Sequence, residues 1–392
     1  MMAQWRNVLV WAGGVVLLFI FLTAAAAPRF MEIKYRSPLA EERFASAVAE
    51  SSSGVEVVHL PTPEPLKALY MTSCVAGTPS WRNELKSLIE TSELNAVVID
   101  VKDFTGRIAF LNNFPKGPDQ RGCTVSDLKE FVAALHSSGI YVIGRISVFQ
   151  DASYSRLFPE LAVENKNGGG IWLDHKGLSF IDVGAKPYWD YIVQISKDAY
   201  ALGFDELNYD YVRYPSDGDM ENISYVWSSA SSTRADTLES FFTYLDDKLS
   251  DTGVVTSVDL FGMTMTVPHD MGIGQVFEKA LPHFDYVSPM VYPSHYPATW
   301  GGFANPAEHP YDVVHIAMSE GKRREAIFNI SMGLATSTPS KLRPWLQDFN
   351  LGATYGPDKV RAQIQATYDS GLTSWMLWSA ANKYTKDALL PE

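Results

Sequence analysis

From Leu66 onward the chain alternates strand-like and helix-like stretches, and this alternation constrains its fold more than any other feature. The strand-like runs are 68–73, 96–102, 141–148, 205–209, 254–260, 286–290, 326–331 and 374–378. Helical patterns lie between them at 80–91, 125–137, 187–202, 234–250, 273–281, 306–320 and 357–370. Strands that alternate with helices make parallel sheets, because a parallel connection needs a crossover. Eight such units fit an α/β fold of the (β/α)8 TIM-barrel type. A doubly wound open sheet is the other arrangement. No GxGxxG or GxxxxGK[ST] follows an early strand, which argues against that arrangement. No cofactor of any kind is expected.

The region ahead of the barrel has a different character. Residues 8–27 form an uncharged apolar run long enough to span a bilayer. Arg6 precedes it and Ala24 to Ala27 end it, as in a signal peptide, but Pro28 makes the last alanine a poor cleavage point. Residues 1–30 are therefore either a signal peptide or a transmembrane anchor. Residues 31–65 read as a linker, with a short helix around 38–50 ahead of SSSG and LPTPEP. The barrel then occupies 66–392. Either membrane reading puts that domain outside the cytoplasm, secreted or tethered to the membrane.

The two cysteines, Cys74 and Cys123, form no CxxC or Cys/His cluster, so no metal site is expected from them. In an oxidising compartment they are candidates for a disulfide. The net charge of −13 argues against a nucleic-acid partner, since phosphate contacts need a basic face. Ten Trp and 19 Tyr supply core, and the same residue types line clefts that hold the flat apolar faces of sugars.

The stretch GFDELNYDYVRYP (203–215) is the strand with the most charge at its end. Side chains alternate along a strand, so Glu206, Asn208 and Asp210 share one face. Arg213 follows, and Pro215 stops the ladder. In a TIM barrel the active site lies at the C-terminal strand ends. There the second strand brings Asp100 and Lys102 on one face, expected as a buried pair, with Asp103 beyond. The third brings Arg145, followed by a long loop (150–186) expected to form a cleft wall or lid. The fifth brings Asp259, the sixth Tyr292 and His295, and the eighth Trp378. Arg343, Trp345 and Gln347 are placed in the segment after a seventh strand at 326–331.

Two carboxylates at adjacent strand ends, Asp210 and Asp259, are what glycoside cleavage needs. One attacks the anomeric carbon or activates water, and the other protonates the leaving oxygen. Arg145 and Arg213 are expected to hold Asp210 ionised, and Asn208 to bond a sugar hydroxyl. Trp345, Trp378 and Tyr292 are expected to stack on pyranose rings. Asp100, Lys102, Asp103, His295, Arg343 and Gln347 complete the candidate substrate-binding set.

GFDELNYDYVRYP, VDLFGM, YVSPMVYPSHY, LRPWLQDF, YMTSCVAG and NAVVIDVKDFTGRI together resemble, in order, the motifs of the glycoside hydrolase-like family DUF4015. The resemblance runs from about Leu66 to Tyr384. It implies a TIM barrel related to carbohydrate-active enzymes and more distantly to α-amylase-like hydrolases. By that likeness Asp210 takes the nucleophile position and Asp259 the acid position, the latter as Asp where those enzymes usually have Glu. The shorter side chain leaves Asp100, Asp103 and Glu206 as substitutes for the acid. The leading expectation is a hydrolase of extracellular or cell-wall polysaccharide. A non-catalytic glycan-binding barrel is the second, and a metal-dependent hydrolase using Asp100, Asp103 and His295 the third.

Overall fold

The computed structural model describes residues 56–110, 123–228, 231–335 and 338–391, and in it eight parallel strands close into a barrel. Contacts divide the chain into residues 1–54 and 55–392, and the barrel is the second unit. The apolar run at 8–27 and the helix expected at 38–50 lie outside the described residues. Among the described residues no helix is long and apolar enough to cross a membrane.

The strands are β1 (Lys67–Met71), β2 (Ala96–Lys102), β3 (Tyr141–Ser147), β4 (Glu206–Asp210), β5 (Val255–Phe261), β6 (Tyr286–Val291), β7 (Trp345–Gln347) and β8 (Trp375–Trp378). Each pairs with the next, and β8 closes on β1 through Lys67–Trp375, Ala68–Met376 and Leu69–Leu377. The principal outer helices are α1 (Pro79–Glu90), α2 (Leu128–His136), α3 (Lys186–Ala201), α4 (Arg234–Leu249), α5 (Phe277–Ala280), α6 (Pro310–Ser331) and α7 (Pro357–Asp369).

Alternation decides which side chains face inward. Val97, Ile99 and Val101 of β2 join the large apolar layer under the helices. Val98 of the same strand packs inside the barrel with Ala68, Tyr70, Ile143, Trp345 and Met376. The N-terminal end of the barrel is closed by charge as well as apolar packing. Arg343 Nη1 donates to Glu206 Oε2 at 2.9 Å, and Leu60 N donates to Asp205 Oδ1 at 2.6 Å.

One strand lies where the sequence did not suggest it. Residues 326–331 are the last turns of α6, a 22-residue helix, and the seventh strand is Trp345–Gln347. The stretch AIFNI is rich in β-formers, which made it resemble a strand. Its isoleucines are not core: Ile327 and Ile330 are exposed and only Phe328 packs against the core, while the buried stripe of α6 runs through Val313, Val314, Ala317, Met318 and Gly321 at helical spacing. Arg343, Trp345 and Gln347 thus belong to β7 and its approach rather than to a trailing loop.

Cys74 and Cys123 are joined in a disulfide. The loop after β3 is a folded cap. It contains a short helix, Ala152–Leu157, and a two-residue strand, Glu164–Asn165, paired with Ile223–Ser224 from the loop after β4. Two further ties bind these loops: Trp172 Nε1 donates to the Asp219 carbonyl at 2.9 Å, and the Asp182 carboxylate accepts from Trp227 N at 2.7 Å.

Candidate active site

At the C-terminal mouth of the barrel, β2, β3, β4 and β5 bring Asp100, Arg145, Asp210 and Asp259 together. The register sets Asp100 opposite Arg145, Arg145 opposite Asn208, and Asn208 opposite Ser257. Arg145 bridges two carboxylates. Its Nη1 donates to Asp100 Oδ1 at 2.6 Å, its Nη2 to Asp210 Oδ2 at 2.5 Å, and its Nε to Asp210 Oδ2 at 3.2 Å. Burial works against the Arg145 charge, but Asp210 and Asp100 outweigh it and hold the guanidinium protonated.

Asp210 gains a further donor from its own backbone. Tyr211 adopts φ +52°, an unusual conformation for a bulky residue, and its N–H reaches Asp210 Oδ1 at 2.6 Å. Strained backbone at the end of a barrel strand is itself a mark of a functional position.

Asp259 is in the opposite situation. It is 1% exposed, and its Oδ1 accepts both from Asn208 Nδ2 at 2.9 Å and from Trp345 Nε1 at 2.7 Å. Among the described residues Oδ2 has no hydrogen-bond donor. Burial and then the charge of Asp210 push the Asp259 carboxyl well above the usual carboxylate range. Oδ2 is therefore the oxygen left to carry a proton.

Asp100 has an intermediate environment. Burial pushes its pKa up to about 6, against the Arg145 charge and the Tyr70 hydroxyl, which donates to Asp100 Oδ2 at 2.5 Å. Tyr70 was not among the residues singled out from sequence. The period-two pattern of β1 could have found it, since Ala68 and Tyr70 share the inward face.

The remaining candidates separate by position. Asn208 Nδ2 donates to Asp259, so its N–H is committed to that carboxyl, while its Oδ1 has no partner among the described residues. Lys102 does not pair with Asp100. The β2–β3 register shifts between the two residues, and Lys102 Nζ instead meets Asp151 Oδ2 at 2.9 Å, both side chains being wholly buried. Asp151 also accepts from Tyr188 of α3, so Lys102 ties the cap to the helix layer. The Asp103 carboxylate accepts from Thr105 N at 2.8 Å and from Arg107 N at 3.2 Å, which shapes the turn after β2.

Glu206 and Arg343 pair at the opposite end of the barrel, away from the mouth. Gln347 is fully buried and joins loops, accepting from Ser294 N and donating to the Phe349 carbonyl. Trp345 is 0% exposed, so its face is closed to a sugar and its part is the bond to Asp259. Trp378 is only partly buried. It stacks on Tyr70 at 4.0 Å and lies 5.0 Å beneath Arg145, with Tyr292 at 6.5 Å and His295 beyond it at 5.4 Å from Tyr292. Among the described residues no three His, Cys, Asp or Glu side chains gather as metal ligands, so Asp100, Asp103 and His295 do not form one ligand set.

A family model described as "Putative glycosyl hydrolase domain", DUF4015, matches residues 68–384. The chain belongs to this family. No curated protein matches it. A hypothetical protein from Ruminiclostridium thermocellum is 32% identical, with 49% of this chain and 96% of that chain covered and a TM-score of 0.43. The glycoside hydrolase domain of PgaB (BpsB) from Bordetella bronchiseptica is 13% identical with a TM-score of 0.58, covering 83% of this chain and 99% of that one. An alpha-L-fucosidase isoenzyme from Paenibacillus thiaminolyticus is 11% identical with a TM-score of 0.54, covering 83% and 48%. The last two likenesses are of fold, and they agree with the closed barrel. For the DUF4015 family, Asp210 and Asp259 of this member stand on adjacent strands with contrasting electrostatic surroundings.

Proposed function

We propose that this DUF4015 protein hydrolyses glycosidic bonds of an extracellular or cell-wall polysaccharide, with Asp259 as general acid and Asp210 as nucleophile or base. The observation that carries the reading is the contrast between the two carboxyls. Asp210 accepts two bonds from Arg145 and one from Tyr211 N, whereas burial and the charge of Asp210 push the Asp259 carboxyl well above the usual carboxylate range. Environments that separate two neighbouring carboxyls in this way suit one to attack and the other to donate a proton.

Asp259 donates from Oδ2 to the leaving oxygen as the glycosidic bond breaks. Asp210 attacks the anomeric carbon, or takes a proton from the water that does. Arg145 balances the charge on Asp210 and on Asp100. Trp378, the partly open aromatic of the mouth, is held between Tyr70 and Arg145 and offers its open edge to a sugar. Family membership and barrel neighbours that are glycoside hydrolases support a carbohydrate substrate. Location outside the cytoplasm, anchored or secreted, is supported by the apolar run 8–27 and by the Cys74–Cys123 disulfide, a bond typical of oxidising compartments.

The test is a glycan panel incubated with the full chain in detergent, scored for reducing ends, with Asp210→Asn in parallel. Release by the wild type alone supports the assignment; equal release by both rejects Asp210. A non-catalytic glycan-binding barrel is the second reading. The near-complete burial of Asp259 favours it, and binding by both proteins with release by neither would establish it.

A further inference from the structure

Arg213 is the buried guanidinium that the chemistry above leaves unused. It follows Asp210 by three residues and is 9% exposed. Its Cζ lies 5.2 Å from the ring centre of Tyr211, 5.1 Å from that of Phe261 and 5.4 Å from that of Phe180. Tyr211 adjoins Asp210, Phe261 lies two residues beyond Asp259, and Phe180 comes from the cap. The group is therefore boxed by aromatic rings from the ends of β4 and β5 and from the cap, within electrostatic reach of Asp210.

Its polar edge is nearly unused by protein. Among the described residues its one hydrogen bond is from Nη1 to the Tyr214 carbonyl at 3.0 Å. The other buried guanidiniums each meet a carboxylate: Arg145 meets Asp100 and Asp210, Arg343 meets Glu206, and Arg324 meets Glu278. Arg213 meets none within ion-pairing distance among the described residues, and Asp210, Asp217 and Asp174 act on it only from farther away. Burial dominates and pulls its pKa below the usual arginine value. Aromatic faces compensate a buried cation only in part and leave the in-plane N–H donors free. Those donors form a planar fork that matches a carboxylate or sulfate in two parallel bonds.

We infer that Arg213 recognises an acidic substituent, a carboxylate or sulfate, on the sugar held next to the bond to be cleaved, so that the substrate is an acidic glycan. This rests on the hydrolase reading for its setting, though binding tests it independently. The covalent step is unchanged; the acidic group stays on the product.

The probes are paired oligosaccharides: hexuronate-containing and sulfated chains, each beside the same chain after carboxyl reduction or desulfation. Wild type and Arg213→Gln are compared for reducing ends released, and Asp210→Asn with and without Arg213→Gln for binding by calorimetry. The expected result is a preference of roughly 10- to 100-fold for an acidic member, the size of a charge-assisted pair. That preference collapses in Arg213→Gln and is only partly retained in Arg213→Lys, which keeps the charge but not the fork and so separates recognition from a merely structural loss. Release or binding with no acidic preference, or a preference untouched by Arg213→Gln, overturns the inference and leaves the hydrolase reading standing. Binding of acidic members through Arg213 with no release from any chain upholds the inference and rejects hydrolysis. No binding and no release across the panel rejects both. Should Arg213→Gln not fold, as judged by circular dichroism, Arg213→Lys against the sulfated and desulfated pair carries the test. A monodentate lysine is expected to weaken the preference, and an unchanged preference overturns the inference.

Discussion

The Trp345 indole N–H donates to Asp259 Oδ1 at 2.7 Å, across the barrel from β7 to β5. Asn208 donates to the same oxygen, so the two bonds fix which oxygen of the carboxyl is left for chemistry. A tryptophan at the mouth of such a barrel suggests stacking, but here its N–H positions the Asp259 carboxyl.

Trp345→Phe should keep most of the packing and remove that bond. The indole N–H favours the charged carboxylate, so its loss raises the Asp259 pKa further. The alkaline limb of the kcat/KM profile should then move to higher pH. Urea denaturation should show a loss of about 1–3 kcal/mol, as for a buried polar group left with one fewer partner. An unshifted limb would mean that Asp259 is not the acid.

Asp259→Asn separates catalysis from stability. In the native protein burial and the charge of Asp210 raise the Asp259 pKa above its unfolded value of about 4. The folded state then binds more protons than the unfolded one, so this group makes stability fall as pH rises. An asparagine accepts at the same oxygen and carries no charge to bury. The variant should match wild type near pH 4 and be the more stable by urea denaturation near pH 8. Its turnover should fall by about 10²- to 10⁴-fold, as for removal of a general acid. Equal pH dependence of stability in the two proteins would contradict a raised Asp259 pKa.

Asp100 follows the same sign with a stated window. Its folded pKa of about 6 lies above the ordinary value of 3.8, so its contribution falls between about pH 4 and pH 6. The two units correspond to an order of 3 kcal/mol. Tyr70→Phe removes a donor that favours the charged form, so the fall should extend above pH 6. Urea denaturation of both proteins from pH 4 to 8 checks this; superimposable curves would show that the Tyr70 hydroxyl does not govern Asp100.

The sequence made the fold legible because strands and helices alternate through most of the chain, and it placed Asp210 and Asp259 at adjacent strand ends. It missed β7 for a physical reason: the real strand is three residues long, while the β-branched residues of 326–331 sit exposed at the end of a helix. Lys102 was paired with the wrong acid because a register shift in β2 re-aims its side chain, and strict alternation carries no sign of such a shift. Distances across the barrel are likewise invisible to spacing. Nothing local in PWLQ says that Trp345 points its N–H at a carboxyl 86 residues earlier.

The disulfide gives the last prediction. Cys74 and Cys123 are 49 residues apart, and cross-linking so long a segment removes much freedom from the unfolded chain. The chain-entropy relation gives about 4 kcal/mol for such a loop, and typical measured losses are about 2–4 kcal/mol. The double variant Cys74→Ser, Cys123→Ser should lose about that much in urea denaturation, and reduced wild type should match it. The half-cystines lie on the turn after β1 and on the approach to α2, and neither is among the groups that bond Asp210 or Asp259. At temperatures where the variant stays folded its kcat should therefore be close to that of wild type. A large loss of kcat without a loss of stability would instead place the bridge within the glycan cleft.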